Sequence, residues 1–281
     1  MKIRQRIIGK SSETTTENVQ EAGVMVSVVN FVKKTGVILE FEIRKIIHDP
    51  LELLVRMIQP ILWLLVFGTM FNQYRIINTG NLSYISFLTP GVIAQSMLFT
   101  SIFYGIAITW DKDSGILAKL MATPTSRGSI VLGKALSAGV RGLAQSVVII
   151  LLAIPLGVTF VFEPLNLFGV IGIIILASTC FACLSIVFAS LLRRRERFMG
   201  VIQLITMPLF FASNALYPVE AMPQLLQYVT KFNPLYYVVD ALRSLLITNN
   251  LSNVPMNFVV LLLFTTFFVF AGIWGLKRLM E

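Results

Sequence analysis

The stretch that decides the fold covers residues 165–192 and reads LNLFGVIGIIILASTCFACLSIVFASLL, without one charged side chain. A helix that crosses a bilayer needs about 20 mostly apolar residues, so this stretch predicts a membrane-spanning helix. Other uncharged stretches cover residues 57–74, 76–110, 142–162, 198–219 and 254–276. The sequence therefore predicts an all-α membrane protein with six transmembrane helices.

Two of these stretches need adjusted boundaries. Residues 76–110 are too long for one helix, and their polar beginning at 78–86 indicates an outer loop, which leaves a span near 87–110. The third span is expected to begin near Ile130, before its uncharged part, and Arg141 then lies inside a helix.

The composition excludes a water-soluble fold. Of 281 residues, 56% are apolar and only 13% are charged, which is about half the charged fraction of soluble proteins. A soluble domain would expose much of that apolar surface, and a disordered chain would be more polar. The net charge of +9 comes from clusters beside apolar runs, so we expect membrane lipid, and no nucleic acid, as the partner of these basic residues.

The basic residues near the span ends orient the chain. Nearly all of them fall on one side of the membrane, and only Arg75, Lys231 and Arg243 fall on the other. Because Lys and Arg concentrate on the cytoplasmic side, both termini are expected in the cytoplasm of a multi-pass protein of the cell membrane.

Three segments outside the spans complete the predicted organisation. Residues 1–23 are expected to form a disordered cytoplasmic tail, ahead of an interfacial amphipathic helix at 24–49 and a six-span permease domain at 50–281. The residues that characterise the interfacial helix are Leu39, Ile43, Arg44 and Ile47. A helix packed on a loop in water is the alternative for this segment.

Residues 220–253 form a long, apolar outer loop. Pro223 and the pair Asn233-Pro234 divide it into pieces at 223–232 and 235–246, too short to span, which predicts short outer re-entrant helices before the sixth span. Asp240 and Arg243 are three residues apart and are expected to pair on one face.

Motifs of catalytic sites are incomplete. The sequence GSIVLGKA at 128–135 fits a P-loop except that Ala135 lacks the hydroxyl that binds magnesium, and it leads into an apolar span. Cys180 and Cys183 have the C-x-x-C spacing of redox and metal sites, but they lie within a span. His48 is the one histidine of the sequence, so it has no histidine partner for a catalytic or metal site. We therefore expect no enzyme activity, no metal site and no cofactor bound by this chain.

Polar side chains inside the spans are candidates for function, because they are costly in a bilayer. They are Arg56, Gln59, Gln95, Arg141, Gln145 and Gln203. Arg141 and Gln145 are four apart on one helical face, which is expected to point into the bundle. They either contact a transported molecule or hold helices together.

The cytoplasmic loop at 111–134 contains a short predicted helix at 115–122, capped by Asp113 or Ser114 and stopped by Thr123-Pro124. Its apolar face of Ile116, Leu117, Leu120 and Met121 either packs against the chain's own bundle or enters a groove on another subunit.

The loop and its surroundings resemble a known family. Residues 110–134 (WDKDSGILAKLMATPTSRGSIVLGK) are similar to the coupling-loop region of type 2 permeases of ATP-binding-cassette exporters. Further segments are similar to the same family. Near the first span they are His48-Asp-Pro-Leu-Glu52, Gln59-Pro60 and Phe67-Gly68, and after the fifth span they are 215–218, 232–236 and 240–243. The resemblance extends from about residue 39 to the C-terminus and is closest to the drug-resistance and nodulation-factor export branches.

The resemblance implies a permease that works with two copies of a separate ATPase, which bind ATP and Mg²⁺. It also implies a homodimer, or a dimer with a similar permease. The implied coupling-helix residues are Gly115, Ile116, Leu117, Lys119, Leu120, Met121 and Thr123, and the implied pathway residues are Gln59, Gln203 and Asn214. The interfacial helix is the other implied ATPase contact.

The mostly apolar lining predicts an amphipathic or lipid-like, drug-like cargo. Export of polysaccharide or lipid-linked glycan is an alternative. An ion-coupled secondary transporter is another, but it is expected to carry acidic residues within its spans, and the six uncharged stretches have none. A membrane enzyme is a third alternative, but the sequence offers no set of catalytic residues for it.

Overall fold

The computed structural model describes residues 28–74, 77, 79–80, 82–123, 125–192 and 195–280. Within those ranges it is helical, with no strand. Helix α1 covers residues 28–48. The other helices are α2 (Pro50–Leu62), α3 (Thr69–Tyr74), α4 (Tyr84–Asp113), α5 (Ile116–Ala122), α6 (Arg127–Ala153), α7 (Pro164–Leu191), α8 (Arg195–Phe211), α9 (Gln224–Lys231), α10 (Pro234–Arg243) and α11 (Val254–Met280). The predicted tail at 1–23 lies outside the described residues.

Five helices are long and apolar enough to cross a membrane: Leu54–Tyr74, Tyr84–Asp113, Arg127–Ala153, Pro164–Leu191 and Val254–Arg278. The predicted fifth span corresponds to α8, whose apolar part, Arg197–Phe211, is shorter than these five. The uncharged stretch at 198–219 overestimated this helix, because its last residues form a turn and a loop. The all-α membrane fold is confirmed, with five long spans and one shorter apolar helix.

Side chains at the ends explain where the long helices begin. The Ser83 hydroxyl accepts a hydrogen bond from the Ser86 amide at the start of α4, and Ser126 caps α6 through the Ser129 amide in the same way. Helix α6 therefore starts before Ile130 and contains Arg141, as the sequence predicts.

Helices α4, α6, α7 and α11 form the packed centre of the bundle. Small residues allow close contact: a Cβ built on Gly105 of α4 would lie 2.2 Å from Cβ of Ser185 on α7. Cys180 and Cys183 are free and buried in this region of α7. The cysteine pair thus packs between helices, which agrees with its position within a span.

The first span lies at the periphery. Its helices α2 and α3 are joined by a π-helical segment at Trp63–Gly68, three residues after Pro60, which cannot donate a backbone hydrogen bond. Within an apolar stretch of 18 residues in the first span, only 22% of the residues are buried, against 81% in α4. The rings of Trp63 and Phe210 are 6.0 Å apart, so the first span and α8 are neighbours on this side.

Helix α1 contacts the bundle along one stripe, in which Thr35, Ile38 and Glu42 are buried. The predicted interfacial residues lie around the rest of the helix: Ile47 and Arg44 are exposed, and Leu39 and Ile43 are partly buried. An amphipathic helix is present, but its most buried stripe contains a carboxylate.

The outer loop folds as α9 and α10, in agreement with the sequence. Asp240 and Arg243 interact electrostatically, as the sequence predicts, but the hydrogen bonds of the two side chains go to other partners. Asp240 accepts a 2.7 Å hydrogen bond from Asn257 on α11. Arg243 donates to the carbonyls of Phe87 and Asn214, at 3.2 and 2.8 Å, and its guanidinium lies 3.8 Å from the centre of the Phe87 ring. These contacts fix α10 to the outer end of α4.

Candidate functional site

The cytoplasmic loop holds the short helix α5. It begins after Gly115, whose φ of +74° is a left-handed conformation that glycine adopts readily, and it has no side-chain cap. The predicted cap by Asp113 or Ser114 is therefore wrong, because α4 continues to Asp113. The Thr123 hydroxyl donates to the Leu120 carbonyl at the other end, at 2.6 Å.

The apolar face of α5 lies against the chain's own bundle. Leu117 is fully buried, and Leu120 and Met121 pack against the core. The opposite face is exposed and consists of Ala118, Lys119, Ala122 and Thr123. Of the two alternatives for the apolar face, packing on its own bundle is therefore the one observed, and the exposed face of α5 is available to a partner.

A buried cluster of charges, termed here the ion cluster, lies beside this loop and joins three helices. Lys134 on α6 donates to Glu42 of α1, at 2.8 Å, and to Asp111 at the end of α4. Lys45 lies 3.2 Å from Glu42 and 4.0 Å from Asp111, and Arg141 lies 3.7 Å from Glu42. Glu42, Asp111, Lys134 and Arg141 are all buried.

The electrostatics of the ion cluster hold its members together. Burial alone would raise the pKa of Glu42, but the nearby ammonium groups of Lys134 and Lys45 outweigh burial and lower that pKa below its usual value. Buried charges without partners are costly, so each of these residues depends on the others. The cluster therefore fastens α1 and the end of α4 to α6.

Sequence reasoning did not find the ion cluster. The sequence predicts only that the run containing Lys134 leads into an apolar span, and it gives Glu42 no particular role. Lys134 and Arg141 are seven residues apart, about two helical turns, so their shared face was visible in the sequence. The partner on α1 was not, because Glu42 lies 92 residues from Lys134.

A second polar site lies between the first span and α4. A cavity of about 250 Å³ is lined by Val55, Arg56, Gln59, Pro60, Gln95, Ser96, Phe99, Thr100 and Phe103. The Arg56 guanidinium lies 4.4 Å from the centre of the Phe103 ring. Three in-membrane polar residues singled out in the sequence, Arg56, Gln59 and Gln95, thus meet around one cavity.

Gln145 and Arg141 have structural contacts. The side-chain carbonyl of Gln145 accepts hydrogen bonds from the hydroxyls of Ser96 and Thr100, both at 2.8 Å. Arg141 donates to Ser137 on its own helix, at 3.1 Å, and belongs to the ion cluster. The arrangement favours the second interpretation of these two residues, which is that they hold helices together.

The pathway residues implied by the resemblance do not share one site. Gln59 lines the cavity between the first span and α4. Gln203 is exposed on α8. Asn214 is buried under the outer helices, where its backbone carbonyl accepts a hydrogen bond from Arg243.

Comparison with known proteins agrees with these features. Residues 33–247 match the family described as ABC-2 type transporter. The chain is 30% identical over 231 residues to the transport permease ycf38 of Cyanophora paradoxa, covering 80% of this chain and 78% of that one. It is 29% identical over 177 residues to nodulation protein J of Rhizobium meliloti, covering 62% and 66% of the two chains.

A daunorubicin resistance ABC transporter permease protein, DrrB1 of Streptomyces coeruleorubidus, is 24% identical over 202 residues, which cover 71% of this chain and 70% of that protein. The family match covers the cytoplasmic loop, the ion cluster and the cavity between the first span and α4, and it extends through α10. The chain belongs to the ABC-2 type transporter family, as a multi-pass membrane permease.

Proposed function

We propose that this chain is the membrane subunit of an exporter driven by ATP hydrolysis in a separate subunit. The observation that carries the proposal is the ion cluster. It connects α1 and the helix end that leads into α5, the two cytoplasmic elements expected to contact an ATPase, to a helix of the central bundle. ATP and Mg²⁺ bind the ATPase, and this chain supplies the path.

The ion cluster gives a mechanical role to the cytoplasmic loop. Asp111 lies six residues before Leu117, and both are buried, so α5 cannot move far without moving the end of α4. Lys134 then transfers that movement to α6, and Glu42 transfers it to α1. An ATPase that binds the exposed face of α5 differently in its two nucleotide states can bias two arrangements of the bundle.

The cargo path is proposed to lie between two copies of the permease. The first span and α8 are neighbours on one side, and most of the first span is not covered by the rest of the chain. A second copy that covers this side would enclose a mostly apolar path, which suits an amphipathic or lipid-like cargo. Both termini then lie in the cytoplasm of a cell-membrane protein.

The test is affinity purification of the full chain from native membranes, followed by assay of nucleotide hydrolysis. The expected result is a co-purifying ATPase in a 1:1 ratio with the permease. Lys119→Glu, on the exposed face of α5, is expected to reduce ATPase recovery. Lys277→Glu, an exposed cation at the end of α11, serves as the matched control. Equal recovery with both variants would reject the docking assignment.

A further inference from the structure

Helix α9 lies at the level of the outer leaflet. Thr230, in its last turn, donates to the carbonyl of Ala212 at 3.0 Å, and the Asn233 side chain donates to the carbonyls of Leu209 and Ala212, at 2.6 and 3.0 Å. These contacts fix α9 to the outer end of α8. Helix α8 has 17 residues, which rise about 26 Å, whereas the hydrocarbon core of a bilayer is about 30 Å thick. The last turn of α9 therefore lies near the outer boundary of the hydrocarbon.

The three faces of α9 differ in their surroundings. One face packs against the end of α8 through the buried Thr230. The second face is apolar and 47–81% exposed, and it consists of Leu225, Val229 and Phe232. The third face is polar and consists of Gln224, Gln227 and Lys231. A helix of this kind at the membrane boundary turns its apolar face to acyl chains and its polar face to headgroups.

A cavity of about 310 Å³ lies beside the polar face of α9. It is bounded by α9, by the start of α10 and by the turn at 219–221, and its lining consists of Val219, Gln224, Gln227, Tyr228, Thr230, Lys231 and Tyr236. Cavities that bind small ligands enclose about 300 to 1,000 Å³, so this one suits a headgroup. None of the lining residues is acidic.

Lys231 is the cation of this cavity. It is one of the three basic residues that the sequence places on the outer side. Its ammonium nitrogen lies 5.8 Å from the centre of the Tyr228 ring, and it takes part in none of the ion pairs between described residues. An ammonium group has three N–H donors and binds phosphate well. This end of the cavity therefore suits a phosphate group.

The other end of the cavity suits hydroxyl groups. The Gln227 amide nitrogen donates to the Met222 carbonyl at 2.9 Å, which holds this side chain at the cavity wall and leaves its carbonyl oxygen as an acceptor. Burial and the nearby carboxylates of Asp240 and Glu220 raise the pKa of Tyr236, so its hydroxyl stays protonated and can donate or accept. The same carboxylates disfavour an anion beside Tyr236.

We propose that α9 binds an anionic phospholipid of the outer leaflet whose headgroup carries hydroxyl groups, such as phosphatidylglycerol. Lys231 binds the phosphate, Gln227 and Tyr236 bind the headgroup hydroxyls, and the acyl chains lie along the exposed apolar face of α9. The bound lipid holds α9 over the end of α8. This inference goes beyond the proposed function and does not depend on it, because lipid binding at α9 needs neither cargo nor ATPase.

The test measures local lipid composition with a fluorophore on the full chain in phosphatidylcholine vesicles. Cys180 and Cys183 are buried, so a thiol-reactive fluorophore labels an introduced cysteine in the folded chain. Leu225→Cys places the fluorophore on the apolar face of α9, outside the cavity lining. The matched control is Met256→Cys, at the outer start of α11, where the side chain is 64% exposed. The quenchers are phospholipids with a nitroxide on one acyl chain.

Three quenching lipids separate the two ends of the cavity. Phosphatidylglycerol has the charge and the hydroxyls, phosphatidylmethanol has the charge alone, and phosphatidylcholine is the zwitterionic reference. At Leu225→Cys, phosphatidylglycerol is expected to be enriched about fivefold over phosphatidylcholine and about twofold over phosphatidylmethanol. At Met256→Cys the three lipids should quench alike.

Two substitutions assign these preferences to side chains. Lys231→Gln should remove the preference for both anionic lipids at Leu225→Cys, and Lys231→Arg should keep it. Tyr236→Phe removes one hydroxyl and should lower only the preference for phosphatidylglycerol over phosphatidylmethanol. Unchanged quenching by phosphatidylcholine at Met256→Cys shows that a variant is folded and inserted.

Four results would overturn the inference. They are equal quenching by phosphatidylglycerol and phosphatidylcholine at Leu225→Cys, an anionic preference that survives Lys231→Gln, a phosphatidylglycerol preference that survives Tyr236→Phe, and loss of the preference in millimolar glycerol phosphate, which would indicate a site for a soluble anion. A fluorophore at Leu225→Cys that no lipid quenches would show that a second copy of the chain covers α9, and it would reject the lipid site as well.

Discussion

Replacing Lys134 by Met removes the cation that lies between two buried carboxylates, Glu42 and Asp111. Lys134 is 5% exposed, and its contact with Glu42 is 2.8 Å long. Removing one partner of a buried ion pair typically costs about 3 to 5 kcal/mol, because the remaining charge is left uncompensated. For a chain of this size that cost lowers the melting temperature by about 6 to 10 °C.

The assay follows thermal unfolding in detergent with a thiol-reactive dye, since Cys180 and Cys183 are free and buried and react only when the bundle opens. The matched control is Arg44→Met. It breaks the 2.7 Å pair with Glu40 on the same helix as Glu42, but both side chains of that pair are largely exposed. An exposed pair contributes about 0 to 1 kcal/mol, so this variant should melt within about 2 °C of wild type.

A second variant tests whether the charge itself is responsible. Adding Asp111→Asn to Lys134→Met removes one of the two carboxylates that have lost their closest cation, so the double variant should be more stable than the sum of the two single effects by about 1 to 3 kcal/mol. A Lys134→Met chain that melts like the Arg44→Met control, or strictly additive effects, would refute the buried ion cluster.

Three further predictions follow from other contacts. Leu117→Ala is expected to destabilise the chain by about 2 to 5 kcal/mol in thermal melts because this side chain is fully buried, whereas Lys119→Glu should melt normally. The lowered pKa of Glu42 contributes stability that is present at neutral pH and is lost as the pH falls below about 4.5, the ordinary pKa of a glutamate side chain. Thermal melts between pH 7 and pH 3 should show this loss of stability. The Glu42→Gln variant should lose less stability over the same pH range. Gly105→Ala should cost about 1 to 3 kcal/mol, since its Cβ would lie 2.2 Å from a side chain on α7, whereas Gly200→Ala, with nothing within 4 Å, should be neutral or stabilising by up to about 1 kcal/mol.

The membrane fold could be predicted because its main determinant is local. Uncharged stretches mark where backbone groups must bond within a helix, and the break at Asn233-Pro234 marks the outer helices without any tertiary information. Even the position of Arg141 inside α6 followed from where the helix had to begin. The short α8 was overestimated, because the absence of charge says nothing about where an apolar segment turns.

The ion cluster could not be predicted because its members are far apart in the sequence. The pattern of α1 gives Glu42 no particular role, and only its contact with Lys134 of α6 shows that this carboxylate faces the bundle. The same limit applies to the apolar face of α5. Its pattern defines Leu117 as part of an amphipathic helix, but whether that face meets its own bundle or a partner depends on tertiary contacts.

The proposed function requires that this permease moves cargo only when a separate ATPase acts on its cytoplasmic side. The most direct measurement is transport of a fluorescent amphiphilic lipid in proteoliposomes that contain the purified permease, with and without its co-purifying ATPase. We expect ATP-dependent transport only when both proteins are present, and loss of that transport with Lys119→Glu. Transport by the permease alone, driven by an ion gradient without ATP, would contradict it.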